Sequence, residues 1–277
     1  MLRLLHIEFI KLWNNRASKV LIISYFILLT LISLVAAIKF DIGPIKFHLA
    51  ELGIFNFPYI WHFNAYIAAF FKLFLAVVIV SMMANEYSNK TIKQNLIDGL
   101  SKWEFVYSKF LTVLAFSAIS TLFIFVVSLS LGLAYSDYNE LGIIFSDLEF
   151  ILAFFLKLVG FFSFCLFLGI LVKRSAFAIG FLILWAIVEQ LLFGFLGWKV
   201  TSWENAKVIK SFFPLQSMQR LVDEPFTRLS AVQNLGQQLG EDLKFDYAVH
   251  WYEVLIVLIW TAIFIYSAYA LLKKRDL

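Results

Sequence analysis

The chain has 277 residues, of which 62% are hydrophobic and only 15% are charged. Soluble globular proteins average about 45–50% apolar and about 25% charged residues, so this composition excludes a protein whose whole surface faces water. The net charge is +4, and the single cysteine, Cys165, excludes an internal disulfide and any metal site built from several cysteines. We therefore predict an integral membrane protein, with the bilayer and not a nucleic acid as its partner.

Six apolar runs are long enough to cross the roughly 30 Å hydrocarbon core of a bilayer as helices. They lie at about residues 19–38, 65–84, 110–134, 151–172, 177–197 and 253–272. Helices are required because a single strand or loop in lipid would leave its backbone polar groups unpaired, and the runs lack the alternation of a barrel strand. The sequence predicts an all-α membrane protein in which residues 1–277 form a single transmembrane domain.

Basic residues are distributed unequally between the two sets of flanks that these spans create. The N-terminus, the 85–109 loop, the 173–176 turn and the C-terminus hold 13 Lys and Arg with five acids, whereas the opposite flanks hold 8 with 12 acids. The short 135–150 loop has four acids and no basic residue. Because Lys and Arg collect in cytoplasmic loops, we predict a multi-pass protein of the cell (inner) membrane with both termini cytoplasmic. The first run is too long for a signal-peptide core and is predicted to be an uncleaved span.

Residues 1–18 have the pattern of a helix that lies in the membrane interface. An apolar stripe repeats at helical spacing, formed by Leu2, Leu5, Phe9 and Leu12. Charged residues fall away from this stripe, at Arg3, Glu8 and Lys11. The pattern favours an interfacial helix that turns at Asn14-Asn15-Arg16 into the first span, and the alternative is an ordinary basic flank.

Two segments outside the spans are long enough to have structure of their own. In the 85–109 loop, Thr91 to Leu96 is predicted to form a short helix that ends at Gly99. Ser101 and Glu104 have the spacing of a capping box, which predicts a second short amphipathic helix. The 198–252 segment has aromatic residues at both ends and is predicted to form an outer cap rather than a domain with its own core.

Three ionisable residues, Lys72, Lys157 and Glu189, fall inside predicted spans. A charge at the centre of a bilayer costs about 2.5 kcal/mol or more, and each of these residues lies roughly 9–12 Å below the outer surface. One interpretation is a shared Lys–Glu–Lys cluster along a substrate route. The other is that both lysines extend outward to the headgroups while Glu189 pairs with Gln190 or a neighbouring hydroxyl.

Motifs of catalysis are absent from the sequence. It contains no nucleotide-binding G-x-x-x-x-G-K-[ST] loop, no H-E-x-x-H or G-x-S-x-G motif, and no cluster of His and Cys. We therefore predict no catalytic residue and no metal site. Two other classes stay open: an intramembrane protease or lipid-modifying enzyme that uses Glu189 and the histidines, and a polytopic scaffold or immunity protein. The four histidines lie near predicted membrane boundaries, at His6, His48, His62 and His250.

The stretch from 86 to 109 resembles a loop of the permease subunits of type-2 ABC transporters. In that family the loop commonly has a Glu, a Gly-Thr pair ending five residues later, a hydrophobic pair, a Pro or Gly, a Ser-Arg pair and a later Lys. The matching positions are Glu86, Thr91, Leu96-Ile97, Gly99, Ser101 and Lys109. Lys90 and Lys102 replace the usual Gly and Arg, so the match is partial. The amphipathic start, the Phe212-Phe213-Pro214-Leu215 sequence and the basic tail are also similar to the family.

The resemblance implies a transport subunit that relies on a separate ATP-binding cassette subunit. That partner would bind ATP and Mg²⁺, this chain would hold no cofactor, and a second permease, identical or paralogous, would complete the route. The 85–109 loop would contain the coupling helix, and the outer segment would dip back into the membrane before the sixth span. The residues implied for coupling to the ATPase are Glu86, Thr91, Gly99, Ser101, Lys102 and Glu104. On this basis we predict an exporter of a hydrophobic or amphipathic substrate, such as a lipid, a peptide or a drug.

Overall fold

The computed structural model describes residues 2–38, 40–42, 45–47, 53–138, 140–238 and 246–275. The helices are α1 (Leu2–Asn14), α2 (Arg16–Ala37), α3 (Tyr59–Phe70), α4 (Lys72–Ser88), α5 (Thr91–Ile97), α6 (Lys102–Tyr135), α7 (Leu141–Ile144), α8 (Glu149–Val172), α9 (Ser175–Phe195), α10 (Trp203–Lys210), α11 (Pro214–Arg220), α12 (Ser230–Gln238) and α13 (Trp251–Lys274). A π-helical turn, Leu196–Val200, extends α9, and a 3₁₀ turn covers Phe226–Arg228. Two three-residue strands, β1 (Phe40–Ile42) and β2 (Ile45–Phe47), pair antiparallel.

Within the described residues, five helices are long and apolar enough to cross a membrane, and the bent pair α3–α4 provides a sixth span. The prediction of an all-α membrane fold is confirmed, and the predicted count of six spans is reached when the bent pair is taken as one span; the small β1–β2 hairpin between the first two spans was not predicted. The helix predicted at the start of the chain is α1, which ends at the expected corner, where the Asn15 side chain accepts a hydrogen bond from the Ser18 N–H and caps α2.

The fourth span along the chain, α8, is the central helix of the bundle. Most of its residues are buried, and it packs against α4, α6 and α13. A helix that is apolar on all sides is expected in the middle of a membrane bundle, and the rings of Phe154, Phe162 and Phe164 are fully enclosed. This position lets α8 contact every span that carries a polar side chain discussed below.

The second span is broken. α3 begins at Tyr59 and ends at Phe70, and α4 starts at Lys72 with a 45° change of direction. The predicted continuous helix over 65–84 is therefore wrong about both its start and its continuity. The Phe71 N–H bonds to the Ala68 carbonyl at 3.1 Å, and the start of α4 has no side-chain cap. Neither proline nor glycine stands at the break, so composition carries no signal for it.

The third span is longer than predicted because the helix that begins at Ser101 does not stop before the membrane. α6 runs through 34 residues without interruption. At 1.5 Å per residue it is about 51 Å long, well beyond the roughly 30 Å of the hydrocarbon core. The second short helix predicted inside the 85–109 loop is thus the first part of α6, and the part outside the lipid is a rigid extension of the span.

The 198–252 segment consists of short helices packed on one end of the bundle. It contains α10, α11 and α12, and the part of the predicted outer cap at residues 239–245 lies outside the described residues. α11 reaches Glu189 and Lys157, which lie about 9 Å and 12 Å along their helices from the nearer ends of α9 and α8. The segment therefore extends down between the spans.

Helix α1 and the end of α13 lie at the same end of the bundle, which we call the terminal face. Arg275, the residue that follows α13, donates hydrogen bonds to the carbonyl oxygens of Ile170 and Leu171 at the end of α8. It also donates to the Tyr87 hydroxyl at 2.8 Å, near the end of α4. α1 packs on α2 and α6 at this face.

Candidate functional site

The terminal face contains a cluster of two acids and two lysines, formed by Glu8 and Lys11 of α1, Glu86 of α4 and Lys109 of α6. We call it the terminal ion-pair cluster. Lys109 Nζ lies 2.5 Å from both Glu8 Oε2 and Glu86 Oε1. Lys11 Nζ lies 2.9 Å from Glu86 Oε1 and 3.3 Å from Glu8 Oε1. Each carboxylate therefore contacts both ammonium groups, and three separate helices are joined at one point.

Three of the four members of this cluster are buried, and Lys11 is partly exposed. Lys109 is 0% exposed, and Glu8 and Glu86 are 5% and 4% exposed. Removing charges from water is costly, and the cost is offset only where opposite charges pair with good geometry. Burial alone would lower the pKa of Lys11, but the Glu8 and Glu86 carboxylates outweigh it and hold that pKa above its ordinary value. With two carboxylates and two ammonium groups, the formal charges of the cluster sum to zero.

The chain reverses direction just after Glu86, and Thr91 returns to the same carboxylate. Lys90 adopts a left-handed backbone conformation with φ 56° at this turn. The Thr91 hydroxyl contacts the second oxygen of Glu86. Glu86 and Thr91, two of the residues matched to the permease loop, therefore fix the start of α5 to the terminal ion-pair cluster. Lys109, a third matched position, is the centre of that cluster.

The far end of α5 projects from the terminal face. Gly99 has φ 96°, the conformation that terminates a helix and favours glycine, and nothing lies within 4 Å of where a Cβ would be. Ile97 is 75% exposed, an unusual position for an isoleucine outside the lipid, whereas Ile92 on the inner side of α5 is buried. The helix predicted to end at Gly99 is present, and it displays an apolar residue at its tip.

The start of α6 is fixed by local hydrogen bonds. The Ser101 hydroxyl accepts from the Glu104 N–H at 3.1 Å, and the Glu104 carboxylate accepts from the Ser101 N–H at 2.9 Å. This reciprocal pair is the capping box expected from the spacing. Lys102 points toward the end of the chain instead, where its ammonium group donates to the Lys273 and Arg275 carbonyls at 3.2 Å and 2.9 Å.

The three ionisable residues inside the spans are not joined into the predicted Lys–Glu–Lys ion-pair cluster. Glu189 of α9 accepts hydrogen bonds from the Leu215 and Gln216 backbone N–H groups at 3.0 Å and 3.1 Å, at the start of α11. It also accepts from the Trp185 indole at 2.8 Å. The carboxylate thus acts as a cap for a helix that has no side-chain cap of its own.

Lys157 occupies the other end of the same short helix. Its ammonium group donates to the Gln219 and Val222 carbonyls, both at 3.1 Å. A carboxylate at the N-terminus and a lysine at the C-terminus match the direction of the helix dipole of α11. Lys157 is only 2% exposed, so the alternative in which it extends outward to the headgroups is wrong. The two charges position α11 between the spans.

Lys72 has different surroundings. It is the first residue of α4, at the break in the second span, and its ammonium group lies 4.5 Å from the centre of the Phe161 ring. Lys72 and Lys157 both line a cavity of about 340 Å³ between α3, α4, α8, α9 and α11. Lys72 and Lys157 therefore share a cavity, although Glu189 does not line it.

A second set of charges, unnoticed in the sequence, holds the 198–252 segment to the bundle. Arg228 forms an ion pair with Asp147 at 2.9 Å and a 3.2 Å hydrogen bond with His62 Nδ1. The His62 ring stacks on Phe150 at 4.0 Å, and His62 Nε2 lies 2.8 Å from the Asp223 carbonyl. His62, one of the four histidines at predicted membrane boundaries, is therefore a packed structural residue.

Sequence reasoning also missed Glu8 and Lys11, which complete the terminal ion-pair cluster. Their i, i+3 spacing on α1 was visible, but only the packing of α1 against α6 shows that Glu8 is buried. No group of three or more His, Cys, Asp or Glu side chains able to hold a metal ion occurs among the described residues.

A family model described as "ABC-2 family transporter protein" matches residues 5–277, which is nearly the whole chain. No curated protein matches the chain.

Proposed function

Because the chain belongs to the ABC-2 family of transporter proteins, we propose that it is the permease subunit of an ABC transporter driven by a separate ATP-binding subunit. The observation that carries the proposal is the arrangement of α5: its base is fixed to three helices by the terminal ion-pair cluster, while its tip projects from the protein. ATP and Mg²⁺ would be bound by the partner, which supplies the energy of transport.

The exposed tip of α5 and the start of α6 form the proposed docking surface for the ATP-binding subunit. Its members are Ile97, Gly99, Ser101, Trp103 and Glu104, all of them exposed. Glu86 and Thr91 take a different part from the direct contact implied by the resemblance. A carboxylate that is buried and bonded to two lysines does not reach a partner's surface, so Glu86 is a positioning residue for α5.

The proposed coupling follows from the stiffness of the elements. Closure of the partner subunits on ATP would push α5, whose base is linked through Glu86 and Lys109 to α4 and α6. α6 is one unbroken helix from the capping box to Tyr135, so a displacement at Ser101 moves the whole span. The change shifts the population between inward- and outward-favouring states of the permease.

The proposed orientation places the terminal face in the cytoplasm of a cell that has this protein in its inner membrane. The excess of Lys and Arg on the flanks at that face supports this orientation. The proposed transport is export of a hydrophobic or amphipathic substrate through a route completed by a second permease subunit. Glu189 accepts three hydrogen bonds from protein donors, which occupies the carboxylate that an intramembrane enzyme would use.

Co-purification tests this proposal. The tagged chain is isolated from its native membranes in a mild detergent, and the bound proteins are identified while ATP hydrolysis is measured. We expect an ATP-binding cassette subunit and its activity to co-purify, and Ile97→Glu to lower the recovery of both by at least tenfold, since a charge replaces an apolar contact. The matched control is Leu141→Glu on the opposite face, where the leucine is 71% exposed. Equal recovery with both variants would contradict docking through α5.

A further inference from the structure

The cavity at the break in the second span combines positive charge with apolar walls. It has a volume of about 340 Å³ and is lined by Lys72 and Lys157 together with Tyr66, Phe70, Leu73, Phe161, Leu182, Ile183 and Leu215, among others. This volume falls within the range of about 300–1,000 Å³ found for small-molecule sites. Phe70, Leu73 and Ile183 are each more than half exposed at its rim, so the cavity opens on the surface of the bundle.

In the described part of the chain, no acidic side chain lines this cavity beside the two lysines. Among the described residues, neither Lys72 nor Lys157 forms a salt bridge, and the two ammonium groups repel each other. Lys157 has two carbonyl partners, which leaves its third N–H available. Asp223 attracts Lys157 through space but does not line the cavity. The lining therefore favours a negatively charged occupant.

Lys72 lies where its positive charge is unfavourable, at the N-terminus of a helix. It is the first residue of α4, and a helix N-terminus carries a partial positive charge that favours anions and disfavours cations. Phe161 is its ring partner, and the first turn of α4 has no side-chain cap. An uncompensated lysine inside a membrane is costly, so an anion bound beside it would relieve repulsion from the helix end and from Lys157.

The geometry points to a binding site for an anionic amphiphile, with a phosphate or carboxylate head between Lys72 and Lys157 and an alkyl or acyl tail along the rim formed by Phe70, Leu73 and Ile183. The two lysines and the start of α4 match the anionic head of such a molecule, and the apolar rim matches its tail. Helix ends at a break within a membrane span are suited to charged groups because they expose backbone N–H groups at that depth. Identification of this amphiphile as the transported substrate rests on the proposed function, whereas its binding does not.

Binding is tested on the purified chain alone by native mass spectrometry in a neutral maltoside detergent. Dodecyl phosphate, laurate and dodecylphosphocholine are added at equal concentration, and the mass shift of each bound molecule is recorded. We expect dodecyl phosphate and laurate to bind at least tenfold more than the zwitterion, because both present an uncompensated negative head. Inorganic phosphate, which has no tail, is expected to give no adduct. Equal binding of dodecylphosphocholine would overturn the proposal.

Variants of Lys72 separate a ligand-binding lysine from a structural one. Lys72→Met is expected to lower dodecyl phosphate binding by about tenfold, and Lys72→Arg to retain it, because Arg keeps the charge. Lys199→Met, which removes a charge at an exposed position, is the matched control and is expected to bind normally. The thermal midpoint of Lys72→Met should not fall, because a charge without an ion-pair partner is removed. Unchanged binding by Lys72→Met would refute the site.

The two proposals fail in different experiments. The mass measurement contains no ATP-binding subunit, so absence of anionic adducts would remove this site and leave the permease proposal standing. Failure of an ATP-binding subunit to co-purify would remove the permease proposal, and an anionic adduct lost in Lys72→Met would still establish the site.

Discussion

The terminal ion-pair cluster and the charges inside the spans differ in how their charges are stabilised. At the terminal face, two acids and two lysines from three helices meet within hydrogen-bond distance and neutralise one another. Between the spans, Glu189 and Lys157 bind backbone groups at the two ends of α11, and Lys72 lies over the Phe161 ring. The first region therefore holds helices together, and the second combines support of one short helix with an unmatched positive charge.

This difference indicates where each region can take part in transport. A neutral, fully paired cluster resists separation, so it suits a joint that transmits movement from α5 to α4 and α6. An unmatched charge beside a cavity is ready to accept a ligand of opposite sign. We accordingly assign force transmission to the terminal face and ligand binding to the break in the second span.

The largest expected effect follows from removing the centre of the terminal ion-pair cluster. Lys109→Met leaves two buried carboxylates with only the partly exposed Lys11 as partner, which we expect to lower the free energy of unfolding by about 3–5 kcal/mol. Unfolding in mixed micelles measures the loss. Lys93→Met, at an exposed position on α5, is the control and should change stability by less than about 0.5 kcal/mol.

A combined variant shows whether this effect comes from charge. The triple variant combines Lys109→Met with Glu8→Gln and Glu86→Gln. It removes the two carboxylates that Lys109→Met leaves uncompensated, so a large part of the lost stability should return. A triple variant as unstable as the sum of the single changes would show that packing, and not ion pairing, is what joins the helices.

A smaller effect is expected at the cap of α11. Glu189→Gln keeps the shape of the side chain but removes the charge that accepts the Leu215 and Gln216 N–H groups, at a cost of about 1–2 kcal/mol. Hydrogen exchange of the 211–220 segment should become about tenfold faster. Glu204→Gln, an exposed acid of α10, should leave that rate unchanged. Equal exchange in both variants would mean that α11 is held by packing alone.

The smallest effect is expected at the capping box, where Ser101 and Glu104 are both exposed. Ser101→Ala removes one half of the capping box at the start of α6, and we expect a loss of about 1 kcal/mol in unfolding free energy. Ser88→Ala is the control, because Ser88 is exposed at the end of α4, where the backbone N–H of Asn89 makes the capping hydrogen bonds. If Ser101→Ala lowered the free energy of unfolding as much as Lys109→Met does, the terminal ion-pair cluster would contribute no more to stability than a local helix cap, which would contradict the comparison.

Periodicity and residue spacing were sufficient to predict the all-helical membrane fold, the helix at the start of the chain and the capping box, because each depends on residues close together in the chain. The break at Phe71 was not predictable, since neither proline nor glycine marks it. The burial of Glu8 was equally hidden, because it depends on α1 packing against α6. Glu189 and Lys157 were identified as intramembrane charges, but their common partner, α11, comes from a segment far along the chain. Local patterns predict elements, and distant packing decides which charges meet.

Site-directed crosslinking from the tip of α5 tests the central claim most directly. Cys165 is the only cysteine of the chain and is buried, so a cysteine introduced by Ile97→Cys can be labelled selectively. In native membranes we predict that a maleimide crosslinker at this position links the chain to an ATP-binding cassette subunit, and that Tyr138→Cys, exposed on the opposite face, gives no such product. A crosslink from position 138 and none from position 97 would contradict the account.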